Sequence, residues 1–296
     1  MKNATTKYNL TADNGLGLIG KVRWILNNIL NNRGGDISND SRLIFSRYKT
    51  NQIPLWDEVS PFVSPARRLC DFFWKDLNWN EFISKLGGNI RAVEIGCGSG
   101  IYGDLIYKQI GDKLSRYVGI DIYEDKGWSA YKDLPQFQFK LGNASSLDDE
   151  LREMNFLFTQ SALEHFEDDY LFFKQVASFV NQLNTPFVQV HLMPSKQCLT
   201  TFPWHGFRQY TLSSISSITQ LFNDNTTCEL VSLGGVHCNS VHKKYITIPQ
   251  LLTRKDYRRT KTKEYNEVLK NAILADEMTS PNQGAAFYAL ILKTNF

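Results

Sequence analysis

Apolar positions along this chain follow two periods, and the change from one to the other marks its elements. Apolar and β-branched runs of strand length fall at 91–95, 117–121, 136–140, 155–159, 186–191, 228–233 and 286–293. Between them the spacing becomes helical. Over 167–183, Phe172, Val176, Phe179, Val180 and Leu183 share one stripe, and the acidic start Glu167, Asp168, Asp169 suits a helix N-terminus. Strands alternating with helices predict an α/β fold with a doubly wound, mostly parallel, seven-stranded sheet covered on both faces. Ligands in such sheets bind beyond the carboxyl ends of the strands, so residues just after each strand are the candidates for chemistry.

The pattern before the first strand is different. Leu18, Val22, Ile25 and Ile29, with Ile19, Leu26 and Leu30 beside them, have helical spacing, while Lys21, Arg23, Asn27 and Asn28 make 16–30 too polar to span a bilayer. The stripe predicts a helix packed on the protein or on a second subunit. Its flanking Lys21, Arg23, Trp24 and Arg33 also suit a peripheral membrane helix. Residues 31–64, with Gly34, Gly35, Asp36 and prolines 54 and 61, read as a linker or draped segment. Asn78 and Glu81 have the spacing of a helix start, and Gly87 and Gly88 end that helix. The chain therefore divides into a helical extension, 1–88, and an α/β domain, 89–296, with an insertion at 237–283 before the last strand.

Composition narrows the partners. A formal charge of +3 over 296 residues is too small to imply nucleic acid. Five cysteines in no framework spacing point to a reducing compartment, and the polar first six residues show no leader pattern, so the expectation is a cytoplasmic protein. The insertion carries nine basic against five acidic residues, and its stretch from Arg254 to Lys263 could attract an anionic or phosphorylated acceptor. His237, Cys238 and His242 match no common zinc spacing, so no metal is expected.

The densest chemical signal follows the first strand of the domain: Val93, Glu94, Ile95, Gly96, Cys97, Gly98, Ser99, Gly100. Closely spaced glycines let a backbone turn sharply out of a buried strand and leave a ligand room against the main chain. Gly98, Gly100 and Gly103 do satisfy a dinucleotide pattern, which keeps an NAD-dependent oxidoreductase as an alternative. The strand closes at Gly96, however, which puts Ile101 where a pyrophosphate needs glycine, and Glu94 would repel that anion.

This stretch resembles the first motif of the class I methyltransferases that use S-adenosylmethionine. Three later stretches resemble that family in order: Tyr117 to Asp121, Gly142 to Ala144 with Asn143 where Asp is common, and Phe156 to Phe166 with its Leu163, Glu164, His165 element. The likeness covers roughly residues 89 to 236 and the final strand. It implies a Rossmann-like fold and a cofactor seat of Glu94, Gly96, Cys97, Gly98, Gly100, Asp121, Ile122, Asn143, Ala144 and Gln160. Asp121 would take the ribose hydroxyls and Asn143 with the Ala144 backbone the adenine; Glu94 either meets the methionine end or pins the turn. Glu164 and His165 read as helix-start residues.

The loop after 186–191 gathers His191, Phe202, Trp204, His205, Phe207, Arg208 and Tyr210, a composition suited to an acceptor site. His205, or His191 in its place, is the expected base and Arg208 the acceptor's anchor. The Trp204 to Tyr210 stretch also looks like methyltransferases encoded with bacterial surface-polysaccharide genes. Thr159, Gln160 and Ser161 stand where amine-directed members have an Asn/Asp-Pro-Pro-Tyr/Phe element, which favours an oxygen acceptor. The expected activity is O-methylation of a sugar, polysaccharide precursor or other small polar metabolite. The alternative is a methyltransferase-like cofactor-binding protein without turnover.

Overall fold

The computed structural model describes residues 6–144 and 147–296, apart from the side chains at positions 148 and 149. The polar start at residues 1–5 lies outside that range. The strands are β1 (Leu43–Arg47), β2 (Ile90–Ile95), β3 (Leu114–Asp121), β4 (Phe137–Leu141), β5 (Phe156–Gln160), β6 (Phe187–Pro194), β7 (Thr226–Leu233) and β8 (Phe287–Thr294). The helices are α1 (Leu18–Asn32), α2 (Pro65–Asp76), α3 (Trp79–Lys85), α4 (Ile101–Ile110), α5 (Asp148–Leu151) and α6 (Asp169–Val180). They continue with α7 (Cys198–Thr201), α8 (Leu212–Thr219), α9 (Val236–His242), α10 (Ile248–Thr253), α11 (Tyr257–Thr260) and α12 (Thr262–Glu277).

All eight strands form one sheet in the order β1-β7-β8-β6-β5-β2-β3-β4. Only β8 runs antiparallel, paired on both sides, with Leu290 opposite His191 of β6 and Leu230 of β7. The expected doubly wound sheet is present. One correction concerns its edge: β1 lies inside the stretch read as a linker and adds an eighth, parallel strand beside β7. Its five residues alternate between half-buried and exposed, as an edge strand does.

Side chains leave the central strands alternately for two cores. In β5, Phe156 and Phe158 join Trp74, Trp79 and Phe82 on one face, while Leu157 joins Phe172, Phe173 and Val176 of α6 on the other. The first 88 residues are thus woven into the domain, through β1 and through the tryptophans of α2 and α3. Both of those helices are capped by a side chain, and α3 starts at the expected Asn78. Ser64 accepts from Arg67 N ahead of Pro65, and Asn78 accepts from Glu81 N. The 237–283 insertion is helical, and its α9 begins on a carboxylate of α12: Asp276 accepts from Gly235 N, His237 N and Cys238 N at 2.7–3.0 Å.

Candidate active site

Strand order reverses between β2, whose chain continues to β3 on one side, and β5 on the other; the crevice beyond their carboxyl ends is where sheets of this kind take ligands. The glycine turn fills that point. Gly96, Gly98 and Gly100 all have positive φ, which favours glycine. Their surroundings differ. A Cβ on Gly96 would lie 2.5 Å from the Ala162 Cβ, and one on Gly100 would lie 2.6 Å from the Phe139 ring, so those two serve the protein's own packing. Nothing lies within 4 Å of a Cβ on Gly98. Gly98 is the glycine that opens on space.

Asp121, at the end of β3, holds this turn: its Oδ2 accepts from Gly98 N at 2.8 Å and its Oδ1 from Tyr123 N at 3.2 Å. Trp128, stacked on Phe139 at 5.1 Å, donates from Nε1 to the Gly98 carbonyl. No motif marks Trp128 in the sequence; the fold brings it to the turn across 30 residues. Ile122 and Leu141 place exposed aliphatic surface at the ends of β3 and β4, with Asn143 and Ala144 following β4.

Three of the expected cofactor contacts are otherwise engaged. Glu94 is buried, accepts from the Tyr117 hydroxyl at 2.5 Å and from the Gly103 amide, and burial raises its pKa to about 8. It pins the turn from beneath. Cys97 turns inward, its Sγ packed where a Cβ on Gly119 would come within 2.9 Å. The Gln160 amide is used at both ends, accepting from Trp74 Nε1 at 2.9 Å and donating to Ser161 Oγ at 2.8 Å.

Next to the turn lies a cavity of about 630 Å³. Ser161 and Glu164 after β5, Pro194 at the end of β6, Phe202 and His205 of the following loop, Arg67 of α2 and Arg258 of α11 are among its walls. The loop approaches closely: Phe207 N donates to the Glu164 carbonyl at 2.7 Å, and a Cβ on Gly206 would sit 2.5 Å from that oxygen. Ser161 and Trp204 are held at φ of +51° and +59°, a conformation non-glycine residues adopt only when their surroundings impose it.

Of the three residues expected to act on the acceptor, the structure brings only His205 to the cavity. His191 is fully buried in β6, its Nδ1 3.0 Å from Thr159 Oγ1 and its ring against Phe172 and Phe173. Burial lowers its pKa to about 3, and it is not among the residues lining the cavity. Arg208 is 1% exposed, paired with Asp169 and bonded to Asn9 Oδ1 and the Glu167 carbonyl. It ties the loop and the N-terminal segment to α6.

Glu164, read as a helix-start residue, is the group sequence reasoning missed. Its Oε1 lies 3.8 Å from His205 Nε2, and its Oε2 is buried without a hydrogen-bond partner. Burial drives both groups toward neutrality, raising the carboxyl to about 7 and lowering the imidazole to about 4. Asp13 and His165 close this side: the His165 Nδ1 is 2.9 Å from Asp13 Oδ2, whose other oxygen accepts from Gly206 N. His242 sits deeper, with Nδ1 3.0 Å from Thr247 Oγ1.

No family model and no curated protein matches the chain. Among solved structures it is similar to the plantazolicin methyltransferase BpumL in complex with SAH, at 13% identity over 82% of this chain and 88% of that one, TM-score 0.44. It is similar to the [4+2]-cyclase SpnF at 10% identity over 93% and 92%, TM-score 0.47. A SAM dependent methyltransferase from Archaeoglobus fulgidus shares 17% identity over 76% and 94%, TM-score 0.43. At such identities and scores none of the three decides what this chain does, and the reading of its chemistry rests on the crevice and cavity described above.

Proposed function

We propose that this chain transfers the methyl group of S-adenosylmethionine to an oxygen of a small polar acceptor, with a sugar or polysaccharide precursor as the favoured class. The observation that carries this reading is the shared wall between crevice and cavity. Gly96 of the glycine turn packs on Ala162, while Ser161, just before it, and Glu164, two residues after it, line the cavity. A ligand in the crevice and a second one in the cavity therefore meet across Ser161 to Glu164.

The residues at the crevice fit S-adenosylmethionine. Gly98 opens on space, Asp121 keeps unused lone pairs for vicinal hydroxyls, and Ile122 and Leu141 offer apolar surface to a base. When bound, the cofactor supplies an electrophilic sulfonium methyl. The chain's own task is to hold the acceptor oxygen in line and to take its proton. Alignment of this kind is worth about 7–11 kcal/mol where the geometry is near attack. Glu164 and His205 are the two groups placed to accept the proton, with Glu164 the more basic of the pair. Arg67 and Arg258 also line the cavity, paired with Asp71 and Asp256, and offer guanidinium N–H donors to a polar acceptor.

Calorimetry with S-adenosylmethionine and with NAD tests the first half: binding of the former alone is expected, and preferential NAD binding ends the reading. Incubation with sugar and sugar-phosphate acceptors, followed by mass detection of an added methyl, tests the second. Cofactor binding without turnover of any acceptor leaves the chain as a binding protein.

A further inference from the structure

The first helix is built inside out. Its buried residues are Trp24, which donates from Nε1 to the Gly206 carbonyl at 2.9 Å, and Asn28, which donates to the Trp24 carbonyl. Most of the aliphatic stripe, expected to pack on the protein or on a second subunit or to meet a membrane, is not covered by this chain and faces solvent. Leu18 is 82% exposed, Ile19 85%, and Val22, Leu26, Ile29 and Leu30 lie between 45% and 55%. A contiguous aliphatic face of this kind marks a contact surface.

A second patch of the same character lies on α10, where Ile248, Leu251 and Leu252 are exposed. Neither stretch of sequence contains a carboxylate, though exposed Glu264, bonded to the Tyr245 hydroxyl, lies near Lys244 beside α10. Between Asp13 and Asp36 the charged side chains are Lys21, Arg23 and Arg33; between His242 and Asp256 they are Lys243, Lys244, Arg254 and Lys255. Both patches adjoin the cavity. Trp204, next to His205, donates from Nε1 to the Lys21 carbonyl and lies under the Lys21 ammonium at 5.1 Å. On the other side Gln250 of α10 lines the cavity, and Thr247 just before α10 donates to the Thr201 carbonyl of α7. Phe202, half exposed, lies on the cavity wall beside His205 and His242.

Charge selects the occupant. In a two-fold contact with a second copy, α1 would bring Lys21, Arg23 and Arg33 toward their own copies, with no carboxylate between Asp13 and Asp36 to offset them. An anionic lipid surface complements aliphatic and cationic side chains together. We infer that α1 and α10 seat the rim of the cavity on an anionic membrane surface, from which an amphiphilic acceptor presents its polar end to the cavity. The docking stands on the surface alone, whereas the acceptor's nature rests on the methyl-transfer reading.

Co-sedimentation of the full chain with phosphatidylcholine vesicles, with and without phosphatidylglycerol, tests the docking without cofactor or turnover. The protein should bind the phosphatidylglycerol vesicles and be released by raised salt. The doubly substituted variant Leu18→Asp, Ile19→Asp should bind at least about tenfold more weakly, with an unchanged melting temperature because both side chains already face water. Leu252→Asp should weaken binding independently. No binding to the anionic vesicles, or binding that these variants leave unchanged, overturns the inference. A concentration-dependent dimer that Leu18→Asp disperses overturns it in favour of a second copy. Because no catalysis enters, docking and methyl transfer can fail separately.

Discussion

Glu164 and His205 face each other at the wall of the cavity, Oε1 3.8 Å from Nε2, with the second carboxylate oxygen buried and unpartnered. They come from different elements, the 3-10 turn Leu163–His165 and the loop after α7, and are joined by the bond from Phe207 N to the Glu164 carbonyl. Most of the testable chemistry follows from this pair.

Glu164 must be ionised to take a proton. With its carboxyl raised to about 7 by burial, turnover should rise with pH up to that region and then level. Glu164→Gln should remove the rising limb and lower turnover by roughly a hundredfold or more. A pH–rate profile of wild type and variant checks this; an identical limb in the variant places the base elsewhere.

The same shift has a stability sign. The folded state holds a proton on Glu164 between the ordinary carboxyl value of 4.5 and about 7, where the unfolded chain does not, so this group lowers stability as pH rises through that window. Glu164→Gln should therefore stabilise the fold at pH above 7, by at most about 3 kcal/mol, and leave it unchanged below pH 4.5. Melting curves across the window decide the point.

His205→Ala should cut turnover while leaving affinity for S-adenosylmethionine intact, because its imidazole lines the cavity and the glycine turn does not touch it. Single-turnover rates beside calorimetry separate the two effects. His191→Phe, in contrast, should act on stability alone, since the ring is enclosed by Phe172 and Phe173.

Arg208→Ala should destabilise the fold by about 3–5 kcal/mol by leaving Asp169 buried without its cation. Denaturant titration measures this. A stable variant with only a raised Michaelis constant for the acceptor would return Arg208 to the anchoring role its sequence position suggests.

Asp121→Ala should weaken cofactor binding, with each lost charged hydrogen bond worth on the order of 1.5–3 kcal/mol. It should also loosen the glycine turn, since Gly98 N loses its acceptor. Calorimetry and amide exchange at Gly98 report the two consequences.

Local order along the chain determined a good deal. The alternation of strand and helix periods specified the doubly wound sheet, and the glycines after β2, the acid closing β3 and the cap of α3 were legible because each depends on a few consecutive residues. Tertiary structure decided what consecutive residues cannot encode. β1 is five residues in a polar stretch, and only pairing with β7 makes it a strand. His191 and Arg208 have the composition of a site, yet β6 is buried on both faces and Asp169 claims the guanidinium, so composition could not say which way either points. Glu164 gains its role from a histidine 41 residues later that the chain folds back to meet it. The stripe of α1 predicted the helix but not what its aliphatic face meets, because periodicity fixes which residues lie together and burial is settled by what packs against them, here Trp24 on the Gly206 carbonyl.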